Sequence, residues 1–329
     1  MLVDQNLSNF SDLSFRTALV LYVISLFLSL FYYVRIQAVI DARRALKKEA
    51  AVGATRSGDV LLEERPSNLQ ENAEKAEATA NKIGGMLQSL LWIGIAVHVV
   101  AIVLRGLSAH RFPFGNLYEY VLMVTAGVMI VSSIALQRKE WRTLWPWILV
   151  PVLALMFFGG TKLYAESAPV VPALRSYWLP VHVSVVSLGA AIGIFSGLSS
   201  LLSILRSWQP KGKEHGVIGG IVKPLPTATK LDTLAYRTAV ITLPTLGLGI
   251  VLGAIWAEAA WGRYWGWDPK ETVSFATWVL YAAYLHARAT PSMRKAAPWI
   301  NIVAMATMVF NLFFINMVVS GLHSYAGLN

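Results

Sequence analysis

Apolar residues fall along the chain in long unbroken blocks, not in the alternating or one-faced patterns of a soluble domain. Eight blocks stand out, at about 17–36, 87–106, 117–137, 144–161, 178–205, 238–258, 272–289 and 298–320. A helix needs roughly 20 apolar residues to cross the hydrocarbon of a bilayer, and the other spanning structure, a closed barrel, is built from strands that alternate. The pattern predicts an all-α integral membrane protein: one membrane domain over residues 1–329, a polytopic bundle of about eight transmembrane helices. Composition agrees, with 56% hydrophobic and 14% charged residues. Asp4 and Asp12 precede the first block, which has no basic lead or small-residue cleavage pattern, so it should stay as a helix.

A formal charge of +10 invites a nucleic-acid reading, which membrane topology makes unnecessary. If the N-terminus is outside, the inner segments 35–86, 138–143, 206–237 and 288–297 carry nine, three, six and three of the 28 Lys and Arg residues, leaving seven outside. Basic residues collect in cytoplasmic loops, so the count predicts both termini outside, a cytoplasmic loop over 37–86 and an outer loop over 259–271. The lipid bilayer is then the first partner and no nucleic acid is required. The Ala-, Glu- and Lys-rich stretch Asp41 to Lys82 reads either as a surface helix interrupted near Gly53 and Gly58 or as a solvated linker, and Gln209 to Lys230 reads as a loop. The pairs Gly249/Gly253 and Gly193/Gly197 read as close helix packing. With no cysteine, the chain supplies no disulfide, thiolate metal site or thiol nucleophile, and sulfur chemistry must come from a partner.

The outer loop is the most informative segment. Four tryptophans, Trp256, Trp261, Trp265 and Trp267, fall within twelve positions. An interfacial belt needs one or two rings per helix end. Here the rings are interleaved with glycines, which suits a large planar π ligand. Asp268-Pro269-Lys270-Glu271 reads as an N-cap, a first-turn proline and a capping-box partner. Arg263 and Lys270 stand beside the rings, where each is either solvated or paired with carboxylates such as haem propionates.

The run Trp261-Gly-Arg-Tyr-Trp-Gly-Trp-Asp-Pro-Lys-Glu-Thr, continuing to Tyr284-Leu-His286-Ala-Arg, resembles the WWD signature of the haem-handling protein superfamily. Within it, the chain is most similar to the CcsA (ResC) family of system II cytochrome c biogenesis, a similarity shared by Phe112 to Glu119 and by the flanks of His182 and His323. The resemblance implies haem b as cofactor or cargo, and Trp261, Trp265, Trp267, Asp268 and Arg263 among the residues that hold it. It also implies a CcsB (ResB)-type membrane partner and an apocytochrome c substrate carrying CXXCH.

Topology sorts the six histidines. His182, at the start of the fifth block, and His323, after the eighth, both fall at the outer rim beside the tryptophan loop. Each alone reads as a hydrogen-bonded interfacial residue, whereas together they suit the two axial positions of one haem iron. The resemblance implies the same pair as external ligands. His286 lies in the membrane near the inner end of the seventh block, among Ala282, Ala283 and Ala287, and such an ionisable group is a functional candidate. By resemblance it is an intramembrane haem-iron ligand whose opposing ligand comes from the partner. His98 reads as a packing residue, and His110 and His215 receive no role. The expected function is to move haem to the outer face and present it for thioether attachment, as a subunit of a holocytochrome c synthase. A haem transporter without attachment activity and a non-haem scaffold or transporter stay open. The bacterial plasma membrane is the expected location, a thylakoid membrane suits equally, and the working face is extracytoplasmic.

Overall fold

The computed structural model describes residues 3–56, 68–170 and 172–323, and they are helical with no strand among them. Eight long helices are joined mostly by short turns: α1 (Gln5–Arg56), α2 (Asn68–Ser108), α3 (Leu117–Ala135), α4 (Trp145–Lys162), α5 (Trp178–Trp208), α7 (Ala228–Trp261), α8 (Pro269–Ala289) and α9 (Ala297–Phe310). A short α6 (Gly216–Val222) interrupts the connection expected to be a plain loop, and one π-helical turn, Asn311–Ile315, extends α9. Seven of the eight apolar blocks lie, to within about two residues at either end, on one long helix each, whereas the eighth, 298–320, runs past α9 through the π-helical turn. Seven of these helices are long and apolar enough to cross a membrane. The remaining one, α8, has 21 residues, roughly 30 Å of helix, but its composition is diluted by Lys270, Glu271, Ser274, Thr277, His286 and Arg288. Large side chains such as Phe27, Phe157 and Val251 are exposed on the outer surface, as a bilayer requires.

The long helices alternate in direction. One end of the bundle gathers the start of α1, the 109–116 and 163–177 connections, the tryptophan loop and His323. Asp4 N donates to Ser108 O there, and Arg111 to Ala168 O. At the opposite end Tyr33 donates to Ile221 O at 2.5 Å, Gln37 to Gly220 O at 2.7 Å, and Arg44 grips Glu214 with two bonds of 3.0 and 2.9 Å. The Ala-, Glu- and Lys-rich stretch is largely helix. Its good helix formers carry α1 on to Arg56, through Gly53, and α2 begins at Asn68; Gly58 lies outside the described residues.

The core has two large clusters and two small ones. Tyr22, Leu91, Leu122, Met129, Trp145 and Met156 knit α1–α4 together with Ala191 and Phe195 of α5, while Ala190, Ala239, Leu246, Tyr281, Tyr284 and Ala304 pack α5, α7, α8 and α9. The α5–α7 pairing is close because Gly249 faces Val186: a Cβ there would lie 3.0 Å from Val186 Cα. Gly197 does the same against Met305 of α9. Gly249 and Gly197 thus serve helix packing as expected, whereas Gly253 faces the His182 ring and Gly193 faces Tyr281, Met308 and Thr242.

Candidate functional site

Helix ends build the site. Asp268 caps α8 by accepting from Lys270 N at 3.2 Å, and Glu271 reaches back to Asp268 N at 3.1 Å, so the capping box read in the sequence is formed. Gly262 ends α7 with φ +70°, a left-handed turn that costs glycine little. These two boundaries fix the tryptophan loop between them.

Asp268 has a second task. Its Oδ2 accepts from His323 Nδ1 at 2.8 Å and its Oδ1 from Leu322 N at 2.9 Å, so one carboxylate ties the segment after α9 to the start of α8. Gly321 permits the approach, since a Cβ there would lie 2.7 Å from Asp268 Oδ1. Burial alone would raise the Asp268 carboxyl, but the bonds from His323, Leu322 and Lys270 outweigh it and hold it at about 2. Burial pushes the His323 imidazole below its ordinary value, with Asp268 pulling the other way.

His182, in the second turn of α5, contacts Gly249 O through Nδ1 at 2.8 Å. A carbonyl accepts only, so Nδ1 carries the proton and Nε2 keeps its lone pair. The carboxylate of Asp268 imposes the same tautomer on His323. Trp256 touches both rings: its indole stacks on His182 at 5.9 Å and 8°, and meets His323 edge-on at 5.6 Å and 61°. Trp261 closes on Trp256 at 4.7 Å and on His323 at 5.0 Å. Gly253 makes room for the His182 ring, as a Cβ there would fall 2.7 Å from His182 Cε1.

Two adjoining open cavities, of about 770 and 670 Å³, meet at these histidines, and both are bordered by His182, His323, Tyr120 and Lys270. Lys270 Nζ donates to Asn316 Oδ1 at 2.5 Å and stands 5.9 Å from the Tyr120 ring. Burial lowers its ammonium to about 8.

The structure thus brings together His182, His323, Trp261 and Asp268 of the expected set, with Trp265 on the wall of the larger cavity. It sets three others apart. Trp267 is 67% exposed, with φ +57°, and touches Trp265 edge-on at 5.6 Å. Arg263 is engaged by Glu271 Oε1 at 3.2 Å and borders neither cavity. His286 is exposed near the far end of α8, eighteen residues and roughly 27 Å along the helix from Asp268. His98 is fully buried beside Tyr22, 3.4 Å from its hydroxyl, as a packing residue would be. Sequence reasoning left Gly253, Tyr120 and Asn316 out of the site, and counted Trp256 in the aromatic segment without assigning it as a ligand contact. Gly249, Gly253 and Trp256 were within reach, since spacings of four and three put them on one face of α7.

A family model described as Cytochrome C assembly protein matches residues 114–323, a span that holds every residue of this site. Among curated proteins, the chain is 34% identical over 269 residues to the cytochrome c biogenesis protein CcsA of Guillardia theta, covering 74% of this chain and 88% of that one. It is 32% identical over 289 residues to CcsA of Pyropia yezoensis, with 75% and 89% covered. To CcsA of Prochlorococcus marinus (strain AS9601) it is 31% identical over 286 residues, with 80% and 90% covered.

Proposed function

The chain belongs to the CcsA family of cytochrome c biogenesis proteins, and from that premise we propose that it holds haem as its substrate between His182 and His323 and presents it to apocytochrome c. One observation carries the reading. Both imidazoles have Nδ1 committed to a fixed acceptor, Gly249 O or Asp268 Oδ2, and both border the same cavities beside Trp256. Histidines that bind a metal through Nε2 characteristically donate the other ring proton to a carbonyl or carboxylate, which orients the ring and raises its basicity. Two imidazoles suit the axial positions of haem iron, and the indoles of Trp256 and Trp261 supply flat apolar surface. Lys270 is the cavity-facing cation for a haem carboxylate, whereas Arg263 braces the loop through Glu271.

Haem supplies the reactive vinyl groups. Attachment adds a client thiol S–H across a vinyl C=C, so a thioether forms and nothing leaves. The chain has no cysteine, and both thiols therefore belong to the CXXCH client. Its own residues orient the haem, exclude water with indole surface and keep two neutral imidazoles available. In this reading the tryptophan-rich end faces the extracytoplasmic side, and a CcsB-type partner completes the haem lyase. Exposed His286, near the opposite end, serves haem entry with a ligand from that partner.

Spectroscopy of the purified protein tests the reading. The reduced protein should show bis-histidine haem absorption, and His182→Ala and His323→Ala should each convert it to a form that binds an added imidazole. A colourless protein that takes up no haem, or two variants with wild-type spectra and wild-type cytochrome c maturation, would refute it.

A further inference from the structure

A seam of polar side chains runs between α5, α8 and α9, from the floor of the larger histidine cavity toward the opposite end of the bundle. On α8, Thr277, Tyr281 and Tyr284 follow at spacings of four and three, share one face and are buried. Thr277 and Thr307 of α9 bring their hydroxyls to 3.1 Å. One helical turn further, Tyr281 Oη occupies the space left by Gly193 of α5, where a Cβ would be 2.6 Å from it. Deeper still, Asn301 Nδ2 donates to Ser196 and Ser200 of α5 at 2.9 and 2.8 Å.

Three oxygens of this seam have no hydrogen-bond partner among the described residues: Tyr281 Oη, Asn301 Oδ1 and Asn311 Oδ1, while Tyr284 Oη is within reach of Ser200. Their residues are 0%, 0% and 8% exposed. Side chains acting only as glue between helices would find one another, as Asn301 Nδ2 finds its two serines. Buried oxygens left bare in a row call for ordered water, the usual partner of such groups. One end of the seam meets a cavity directly, and the other ends on buried Tyr284. The histidine cavity reaches down to Thr277 and Asn311. At the other end Tyr284 lies beside the Asp232–Arg288 ion pair, which borders a separate cavity of about 970 Å³.

We propose that this seam holds a file of water molecules and conducts protons between the Asp232–Arg288 pair and the Lys270 cavity, a transport function separate from haem ligation and not dependent on it. Each hydroxyl or water takes a proton from one neighbour and releases another to the next, so charge crosses without any net chemistry. Polar side chains at membrane depth commonly mark such relays.

Two measurements on the full chain decide it. In brief X-ray radiolysis, which oxidises buried rings only where bound water is adjacent, Tyr281 and Tyr284 should be labelled several-fold faster than Tyr22. Tyr22 is equally buried, and its hydroxyl faces His98. Labelling no faster than at Tyr22 overturns the water file. In proteoliposomes with a trapped pH dye and the potential clamped by potassium and valinomycin, an imposed pH gradient should decay several-fold faster than in protein-free vesicles. Tyr281→Phe, which keeps the ring shape, and Asn301→Leu should each restore the protein-free rate. Ser199→Ala should not, since that hydroxyl bonds within its own helix. A wild-type rate equal to that of empty vesicles, or wild-type conduction in folded Tyr281→Phe and Asn301→Leu proteins, overturns the proton path.

Discussion

Replacing Asp268 by Asn separates the two tasks of that side chain. Asn caps helices about as well as Asp, so α8 should keep its start and the melting temperature should move little. The link to His323 should fail. The carboxylate accepts on both oxygens, from Leu322 N at 2.9 Å and from His323 Nδ1 at 2.8 Å, whereas an amide has one acceptor and turns a donor toward the other proton. A buried donor without a partner costs about 1–3 kcal/mol, and losing the charge assistance adds about 1 kcal/mol. The haem-free chain escapes this cost by letting residues 321–323 swing away, so the cost falls on holding His323 in ligating position. A total of about 2–4 kcal/mol corresponds to roughly 30- to 700-fold weaker haem binding. Outer-shell substitutions at metal sites typically cost 10- to 100-fold, which favours the lower part of that range. Haem titration followed by absorbance gives the affinity, and the midpoint potential gives an independent readout, expected to rise as the His323 imidazole becomes less basic. The wild-type carboxyl is lowered from 3.8 to about 2, so its contribution is complete above pH 3.8 and lost as pH falls toward 2. If the Asn variant binds haem with wild-type affinity and potential while His323→Ala does not, Asp268 does not act through His323.

Gly253→Ala would push a methyl to within 2.7 Å of the His182 ring and should weaken haem binding roughly tenfold or more, seen as loss of the six-coordinate spectrum; an unchanged spectrum refutes the fit. Lys270→Met should weaken binding of haem but not of its dimethyl ester, if the ammonium pairs with a carboxylate. For the same reason wild-type affinity for haem should fall as pH rises through about 8, where Lys270 loses its charge, and affinity for the ester should not. At the opposite end, Glu214→Ala strands Arg206, which is 1% exposed, and should cost about 3–5 kcal/mol, read as a lower melting temperature. Glu214 is lowered from 4.5 to about 2, so the stability it contributes is present above pH 4.5 and lost as pH falls toward 2. A melting profile flat across that range would count against the pair.

Much of the site was legible because its residues sit where local rules are strong. The eight apolar blocks sort His182 and His323 to one end and His286 toward the other, since counting crossings requires no tertiary contact. The Asp268 capping box is a property of four consecutive residues, and the helix begins one residue after the cap as those residues demand. Trp267 and Arg263 were harder. Both stand in the motif, yet one turns outward in a left-handed conformation and the other is drawn to Glu271, outcomes set by the path of the loop. α8 shows the same limit differently: its length reads as a span, while Lys270, Glu271, Ser274 and Thr277 border the histidine cavity, and with His286 and Arg288 they leave it less apolar than the other seven.

By itself the sequence determined the bundle, the order of its helices, the aromatic loop and the ends at which the histidines lie, because hydrophobic block length and capping act over a few neighbouring residues. Only the tertiary structure decided that the Asp268 carboxylate serves His323 across 55 residues of chain, that Gly249 offers its carbonyl to His182, and that Trp256 touches both rings. Those are contacts between segments distant in sequence. They exist only once helix packing has brought the start of α5, the end of α7, the start of α8 and the segment beyond α9 to one place.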